Sequence, residues 1–267
     1  MAEKVDYAAL KKGGFMRQKQ KGCFSLRLAV VGGNLTAENI KTVAEVAEKY
    51  GHGYVHMTSR QGIEIPFIKV EDINEVKEEL AKGGVGTGVC GPRVRTITAC
   101  QGAAICPSGC IDTYTLAKEL DARYFGRELP HKFKFGVTGC QNNCLKAEEN
   151  DVGIKGGMTV ECNHDDCIQC GVCVKACREG ALRMEDGKIV IDREKCNNCA
   201  RCVKSCPTDA WVASRVILFP LVDCLEIRFI KVNRLFRSSV IKKLFSESQM
   251  RLFHFLKSMQ MQVSVSD

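Results

Sequence analysis

Several things are missing from this sequence, and each absence narrows the reading. No glycine follows Gly187, and Pro220 is the only proline after Trp211. The opening residues, Met-Ala-Glu-Lys-Val-Asp, form no basic-then-apolar export signal, so a cytoplasmic protein in a reducing cell is expected. The apolar run at 216–222 is too short to span a bilayer, and Asp223, Glu226 and Arg228 break up the residues after it. No G-x-G-x-x-G leads from a strand into a helix, which argues against a dinucleotide cradle. The formal net charge is +8, but nine Lys or Arg against four acids from residue 215 onward give that stretch a surplus of five. The remainder is near balance, so nucleic acid is not an expected partner. His52, His56, His131, His164 and His254 form no catalytic pattern.

What the chain has in excess is cysteine, seventeen in 267 residues. Most stand in tight runs with metal spacing. Cys167-x2-Cys170-x2-Cys173-x3-Cys177 recurs as Cys196-x2-Cys199-x2-Cys202-x3-Cys206-Pro207. This C-x2-C-x2-C-x3-C repeat is the bacterial two-cluster ferredoxin run, in which the fourth cysteine of each copy serves the other cluster. Cys167, Cys170, Cys173 and Cys206 should hold one cubane, and Cys196, Cys199, Cys202 and Cys177 the other. Arg178 stands where the first copy usually has proline, which affects a turn and not a ligand.

A second set lies upstream. Cys100 and Cys106 are separated by five residues, Cys140 and Cys144 by three, and basic residues precede each pair. Four thiolates suit an iron–sulfur cubane. Spacing alone leaves zinc or buried thiols open, although the first pair is wide for zinc. Cys23, Cys90, Cys110, Cys162 and Cys224 fit neither set and are expected to be buried or incidental thiols.

With Thr98-Ala99 before Cys100 and Val137-Thr138-Gly139 before Cys140, residues 95–144 resemble the core of the sirohaem-dependent sulfite and nitrite reductase family. The resemblance covers about residues 14–212. It implies that Cys100, Cys106, Cys140 and Cys144 hold a 4Fe-4S cluster and that Cys144 also bridges to sirohaem iron. It further implies that Arg95, Lys132 and Lys134 bind the substrate oxyanion, that Arg60 lies near the sirohaem and its carboxylates, and that Arg27 also serves the cofactor. Ala29 occupies a position where the family usually has a further basic residue. Sirohaem and three 4Fe-4S clusters are the implied cofactors, with sulfite or nitrite as substrate and a ferredoxin or partner subunit as electron donor.

Periodicity gives a coarse fold. A strand is expected at 24–31, then a helix from the N-cap Thr36 with Ile40, Val43, Ala47 and Tyr50 inward and Gly51 as C-cap. Strands at 53–58 and 63–68 flank a turn at 59–62, and a helix with Ile73, Val76 and Leu80 ends at Gly83-Gly84. This β-α-β-β-α order reads as a split βαβ sandwich. Residues 1–22 show no clear period, and 83–91 reads as a linker. A helix at 113–124 places Leu116 and Leu120 inward, and a strand at 132–137 puts Lys132 and Lys134 on one face.

The expected class is α+β. A ferredoxin-like half domain covers 1–82 and a sirohaem and 4Fe-4S domain covers 90–160. A two-cluster ferredoxin module at 161–211 is inserted, and a divergent basic tail runs from 212 to 267. That tail, patternless to the eye, reads as divergent or frame-shifted, with a basic amphipathic docking tail as the rival. The function so implied is reduction of sulfite to sulfide or nitrite to ammonia, sulfite preferred. The alternative is an electron-transfer subunit without its own sirohaem. Larger family members carry two pseudo-symmetric halves and this chain one, so an isologous homodimer is expected, each subunit completing the other's site.

Overall fold

The computed structural model describes residues 5–221 and 224–231. The chain divides into two compact units: residues up to Gly139 with Asn143–Gly153, and Cys140–Asn142 with the chain from Ile154 onward.

The first unit begins with α1 (Tyr7–Lys12), capped by the Asp6 carboxylate, and continues through β1 (Phe15–Arg17), β2 (Cys23–Arg27), α2 (Ala37–Tyr50), β3 (His56–Met57), β4 (Ile63–Lys69) and α3 (Ile73–Lys82). The four strands form an antiparallel sheet in the order β1-β2-β4-β3. Along β2 and just beyond, Phe24, Leu26, Leu28 and Val30 are buried, while Ser25 and Arg27 point to the other face. That period of two explains how Arg27 becomes available to a site while its neighbours build the core.

Against this face pack α2 and α3. Thr36 and Asn39 form a reciprocal capping box at the start of α2. Val43, Val46, Ala47 and Tyr50 of α2 and Ile73, Val76 and Leu80 of α3 supply the inner stripe. Leu26, Ile65, Ile68, Val76 and Leu80 are wholly enclosed, each contributing about 1.5–3 kcal/mol of transfer free energy. Ile40, expected inward, is 54 % exposed because it sits on the flank of this stripe.

Three further expectations change. Residues 5–22 hold α1 and β1, elements too brief to show a period. The strand expected at 53–58 shrinks to two exposed residues of β3. The stretch 83–91 is no free linker: the Gly86 carbonyl accepts from the Ala29 N–H, and the Gly88 N–H donates to the Arg27 carbonyl, so it runs along β2.

The unit continues with β5 (Thr98–Ala99), α4 (Thr113–Tyr124) and β6 (Phe135–Thr138), β5 and β6 pairing in parallel. Helix α4 falls where expected, burying Ala117, Leu120 and Tyr124 and leaving Leu116 half-buried.

In the second unit, β7 (Val152–Cys162, entering from the first) is followed by α5 (Val172–Ala176), β8 (Leu182–Glu185), β9 (Lys188–Ile191), α6 (Arg201–Ser205), β10 (Trp211–Leu221) and β11 (Cys224–Lys231). The β8–β9 hairpin and the two short helices pack with Val160, Cys173, Cys202 and Trp211 around one small core. Strand β10 pairs antiparallel with β7 from Trp211 opposite Cys162 to Leu218 opposite Lys155, and β11 folds back on β10. The onset of the tail is therefore ordered as sheet, which its own pattern did not show. Its partner lies some fifty residues upstream, so the pairing decides what the local sequence left open. The frame-shift reading covers the chain from about residue 213 onward, and of that stretch 232–267 lies outside the described residues.

Candidate active site and iron–sulfur ligands

A cavity of about 320 Å³ opens in the first unit, lined by Arg27, Arg60, Arg95, Lys132 and Lys134 together with Glu64, Thr58 and Val89. All five basic residues singled out from the sequence meet there, from four separate stretches of chain. Arg27 projects from β2 and pairs with Glu64 across the β2–β4 ladder. Burial works against its charge, but the Glu64 hydrogen bond and the neighbouring Cys90 outweigh it, so its pKa is raised. Arg60 stands on the turn between β3 and β4, which the Thr58 hydroxyl ties to Gly62. Its guanidinium donates to Asn150 Oδ1 at 2.8 Å and to the Thr96 carbonyl at 3.4 Å. Burial, and then the positive charge of Arg95, lower its pKa. Arg95 is held by the Val89 and Gly91 carbonyls, so the stretch expected as a linker forms one wall of the cavity.

Lys132 and Lys134 precede β6 and do not lie within it. Phe133 between them exchanges backbone hydrogen bonds with Arg93 and Arg95, while the Lys134 N–H donates to Asp151 and its carbonyl accepts from Val152. These bonds keep the segment extended, so the alternation survives and both lysines line the cavity. The result is a concave site lined by five cationic side chains and one carboxylate, which favours a small anion.

The same stretch positions the first cysteine pair. Gln61, next to Arg60, accepts from the Ala99 N–H and donates to the Ala99 carbonyl, a two-bond clamp on the residue before Cys100. The Thr113 hydroxyl donates to the Cys100 carbonyl, and the Gly139 N–H donates to Cys100 Sγ at 3.1 Å. Gly102 has a φ of +60°, and any Cβ there would strike Thr113. Gly139 lies so close to Gly102 Cα that a Cβ would approach to 2.9 Å. Sequence reasoning misses Gln61, although its place beside Arg60 in Thr58-Ser59-Arg60-Gln61 is a usable signal. Cys100 and Cys106 are half-buried and Cys144 is exposed, all in the first unit; Cys140, buried, belongs to the second.

In the second unit the sequence repeat is also a repeat of backbone geometry. Gln169 and Gly171 flank Cys170 with φ of 55° and 68°; Asn198 and Ala200 flank Cys199 with φ of 60° and 59°. Left-handed backbone at Gln169, Asn198 and Ala200 costs roughly 1–2 kcal/mol each. It turns successive N–H groups into a concavity of the kind that cradles anionic iron–sulfur clusters. Burial pushes the Cys202 thiol up to about 12, with Cys196 and Cys199 beside it adding to the shift. Burial also raises Cys173, near Cys167 and Cys170, while the Val174 N–H opposes it. Cys206 moves the other way: burial opposes its ionisation, but the Thr208 hydroxyl and the N–H groups of Thr208 and Ala210 lower its pKa. Among the described residues no three His, Cys, Asp or Glu side chains converge as a single metal ion requires.

Comparisons with known proteins match family models along much of the chain. Residues 16–83 match the nitrite/sulfite reductase ferredoxin-like half domain, 90–195 the nitrite and sulphite reductase 4Fe-4S domain, and 188–211 a 4Fe-4S binding domain. The chain is 33 % identical to a subunit of the anaerobic sulfite reductase of Salmonella typhimurium, covering 93 % of this chain and 79 % of that one. It is also 33 % identical to the coenzyme F420-dependent sulfite reductase of Methanocaldococcus jannaschii, over 63 % of this chain but only 27 % of that much longer protein. The crystal structure of dissimilatory sulfite reductase I superposes with a TM-score of 0.62 over 92 % of this chain and 71 % of that one at 21 % identity, a likeness of fold. Among the described residues no helix is long and apolar enough to cross a membrane. With its half domain, its 4Fe-4S domain and a relative aligned over most of both chains all in agreement, the chain belongs to the sirohaem-dependent sulfite and nitrite reductase family of oxidoreductases.

Proposed function

We propose that this protein reduces sulfite to sulfide, using sirohaem coupled to a 4Fe-4S cluster held by Cys100, Cys106, Cys140 and Cys144, with Cys144 as the bridge. The observation that carries the reading is the convergence of Arg27, Arg60, Arg95, Lys132 and Lys134 on one cavity. The mutual repulsion of Arg60 and Arg95 supports it further, since an anion placed between them relieves the cost of gathering like charges. When bound, the sirohaem and the 4Fe-4S clusters would supply one-electron redox chemistry for the six-electron reduction, whose electrons come from an external donor.

The protein's own residues do the rest. Arg95, Lys132 and Lys134 bind the substrate oxyanion through charge-assisted hydrogen bonds. The lysine ammonium groups also donate protons to oxygens leaving as water. Arg60 and Arg27 neutralise macrocycle carboxylates, with Asn150 and Glu64 fixing their direction. The electron donor is a ferredoxin or partner subunit. In this reading the assembly is an isologous homodimer in which each subunit's basic residues complete its partner's site. An active monomer in ultracentrifugation would rule that assembly out.

The decisive test is an anaerobic absorption spectrum with iron counted per chain. A sirohaem band that shifts on adding sulfite, with iron for three cubanes and one haem, is the expected result. Cluster absorption without that band would overturn the catalytic reading and leave an electron carrier.

A further inference from the structure

One buried amide joins the cavity to the loop that carries Cys144. Asn150 is 5 % exposed and follows the short turn Ala147–Glu149. Its Oδ1 accepts from Arg60 at 2.8 Å. Its Nδ2 donates to the Ala147 carbonyl at 3.4 Å, as its own backbone N–H does at 3.2 Å. A guanidinium only donates and a carbonyl only accepts, so these two partners suit the two ends of an amide and fix its orientation. Neither a carboxylate nor a hydrocarbon of the same size serves both. The seat is tight: a Cβ at Gly136 would strike the Asn150 side chain, and one at Gly153 would strike the Ala147 carbonyl.

From Ala147 the connection runs back to Cys144. The Ala147 N–H donates to Asn143 Oδ1 at 2.9 Å, and the Lys146 N–H donates to the Asn143 carbonyl at 2.9 Å. Asn143 and Lys146 are both left-handed, with φ of 50° and 53°, so the chain turns sharply on either side of Cys144 and Leu145. Such backbone persists only where its surroundings over-determine it, and Asn143 supplies bonds from both main chain and side chain. The same segment is fastened beside Lys134, whose N–H donates to Asp151 and whose ammonium donates to the Glu149 carbonyl at 3.5 Å. Arg60 and Cys144 thus stand at the two ends of one hydrogen-bonded run.

We propose that Asn150 is a positioning residue that holds Arg60 and the Cys144 loop at a fixed separation. The arginine assigned to the sirohaem carboxylates and the thiol assigned to its iron are then placed by one buried side chain. The inference rests on the sirohaem reading above and adds to it a residue that acts through Arg60 and Ala147. Coupling of this kind is reciprocal: release of Arg60 loosens the Cys144 loop, and release of the loop misdirects Arg60.

The test compares full-length wild type, Asn150→Leu and Arg60→Ala. It reads sirohaem affinity from the absorption band and loop opening from amide hydrogen exchange at residues 144–149. Asn150→Leu should weaken sirohaem binding about tenfold, the scale of losing a supporting group at a metal site, with the iron at Cys167–Cys206 unchanged. Arg60→Ala leaves Asn150 in place and should still speed exchange at 144–149 about tenfold, as loss of one hydrogen bond predicts. That comparison is made in protein produced without sirohaem, so loss of the cofactor is not its cause, and it does not depend on how the Asn150 variant folds. Wild-type exchange at 144–149 in Arg60→Ala would overturn the proposal, and so would full sirohaem affinity in Asn150→Leu. Wild-type protein that takes up no sirohaem would sink the functional reading, and the exchange comparison would still decide whether Asn150 ties Arg60 to the loop.

Discussion

The cysteine repeat at 167–206 and the basic cavity of the first unit are built in opposite ways. Eight thiols of the repeat lie within forty residues, and two left-handed residues per copy shape each loop locally. The cavity draws Arg27 from a strand, Arg60 from a turn, Arg95 from a loop and two lysines from the approach to β6. A local device survives small changes in the fold around it, whereas a gathered one depends on every element that brings a residue in. The repeat is thus legible as a motif, while the cavity becomes visible only when the chain is folded.

The largest effect should come from breaking the repeat. Cys199→Ser removes a proposed cluster ligand flanked on both sides by left-handed backbone, and the protein should lose one cubane's iron. The small core around Cys173, Cys202 and Trp211 should loosen with it, because cluster binding and folding of such a module are coupled. Iron analysis and proteolysis of the 160–212 region would check this. Retention of full iron would detach Cys199 from the cluster.

Lys134→Ala strikes the gathered site. Loss of one preorganised cation at the oxyanion should lower kcat by about 10²–10³, with iron content unchanged. A variant that lost iron together with activity would mean that the lysine acts on structure. Binding can be separated from turnover: sulfite at about 100 times its Kd should stabilise the resting protein by about 2.7 kcal/mol, and Arg95→Ala should abolish most of the shift in Tm.

Gln61→Leu sharpens the comparison, because Gln61 joins the turn carrying Arg60 to the segment carrying Cys100. Losing both bonds leaves the Ala99 N–H and carbonyl unsatisfied in a buried strand, costing about 1–3 kcal/mol in denaturant unfolding. The smallest effect is expected at Asp121. Burial raises its pKa, and the Ile97 N–H only partly offsets that. A carboxyl with a raised folded pKa favours the folded state below its unfolded pKa, and this benefit is lost as pH rises. Asp121→Asn should therefore stabilise the protein at pH 7 by roughly a few tenths of a kcal/mol, and the difference should vanish in acid. A gain that grew as pH fell would contradict the sign.

Much of this is readable before folding. Helix α2, with its Thr36 cap and the stripe from Val43 to Tyr50, follows from spacing and capping chemistry alone, and so does α4. Ile40 misleads because an apolar residue at the edge of a stripe satisfies the period without being covered. Strand β10 could not be read at all: its order comes from the ladder with β7, and none of its local residues announces that pairing. For the lysines, the alternation holds but the element differs. Phe133, bonded to Arg93 and Arg95, and not β6, keeps them aligned.

The sequence by itself determined the chemistry on offer: two interleaved sets of four thiols, a third set upstream, and an inventory of basic residues suited to an oxyanion. Ligand spacing within a loop is a property of a few consecutive residues, so no tertiary contact is needed to recognise it. Only the tertiary structure decided that five cations share one cavity, that Gln61 clamps Ala99, and that Cys162 lies opposite Trp211. Each of these depends on bringing distant segments together, and that placement is fixed by burial of the core and by strand pairing, not by the functional residues themselves.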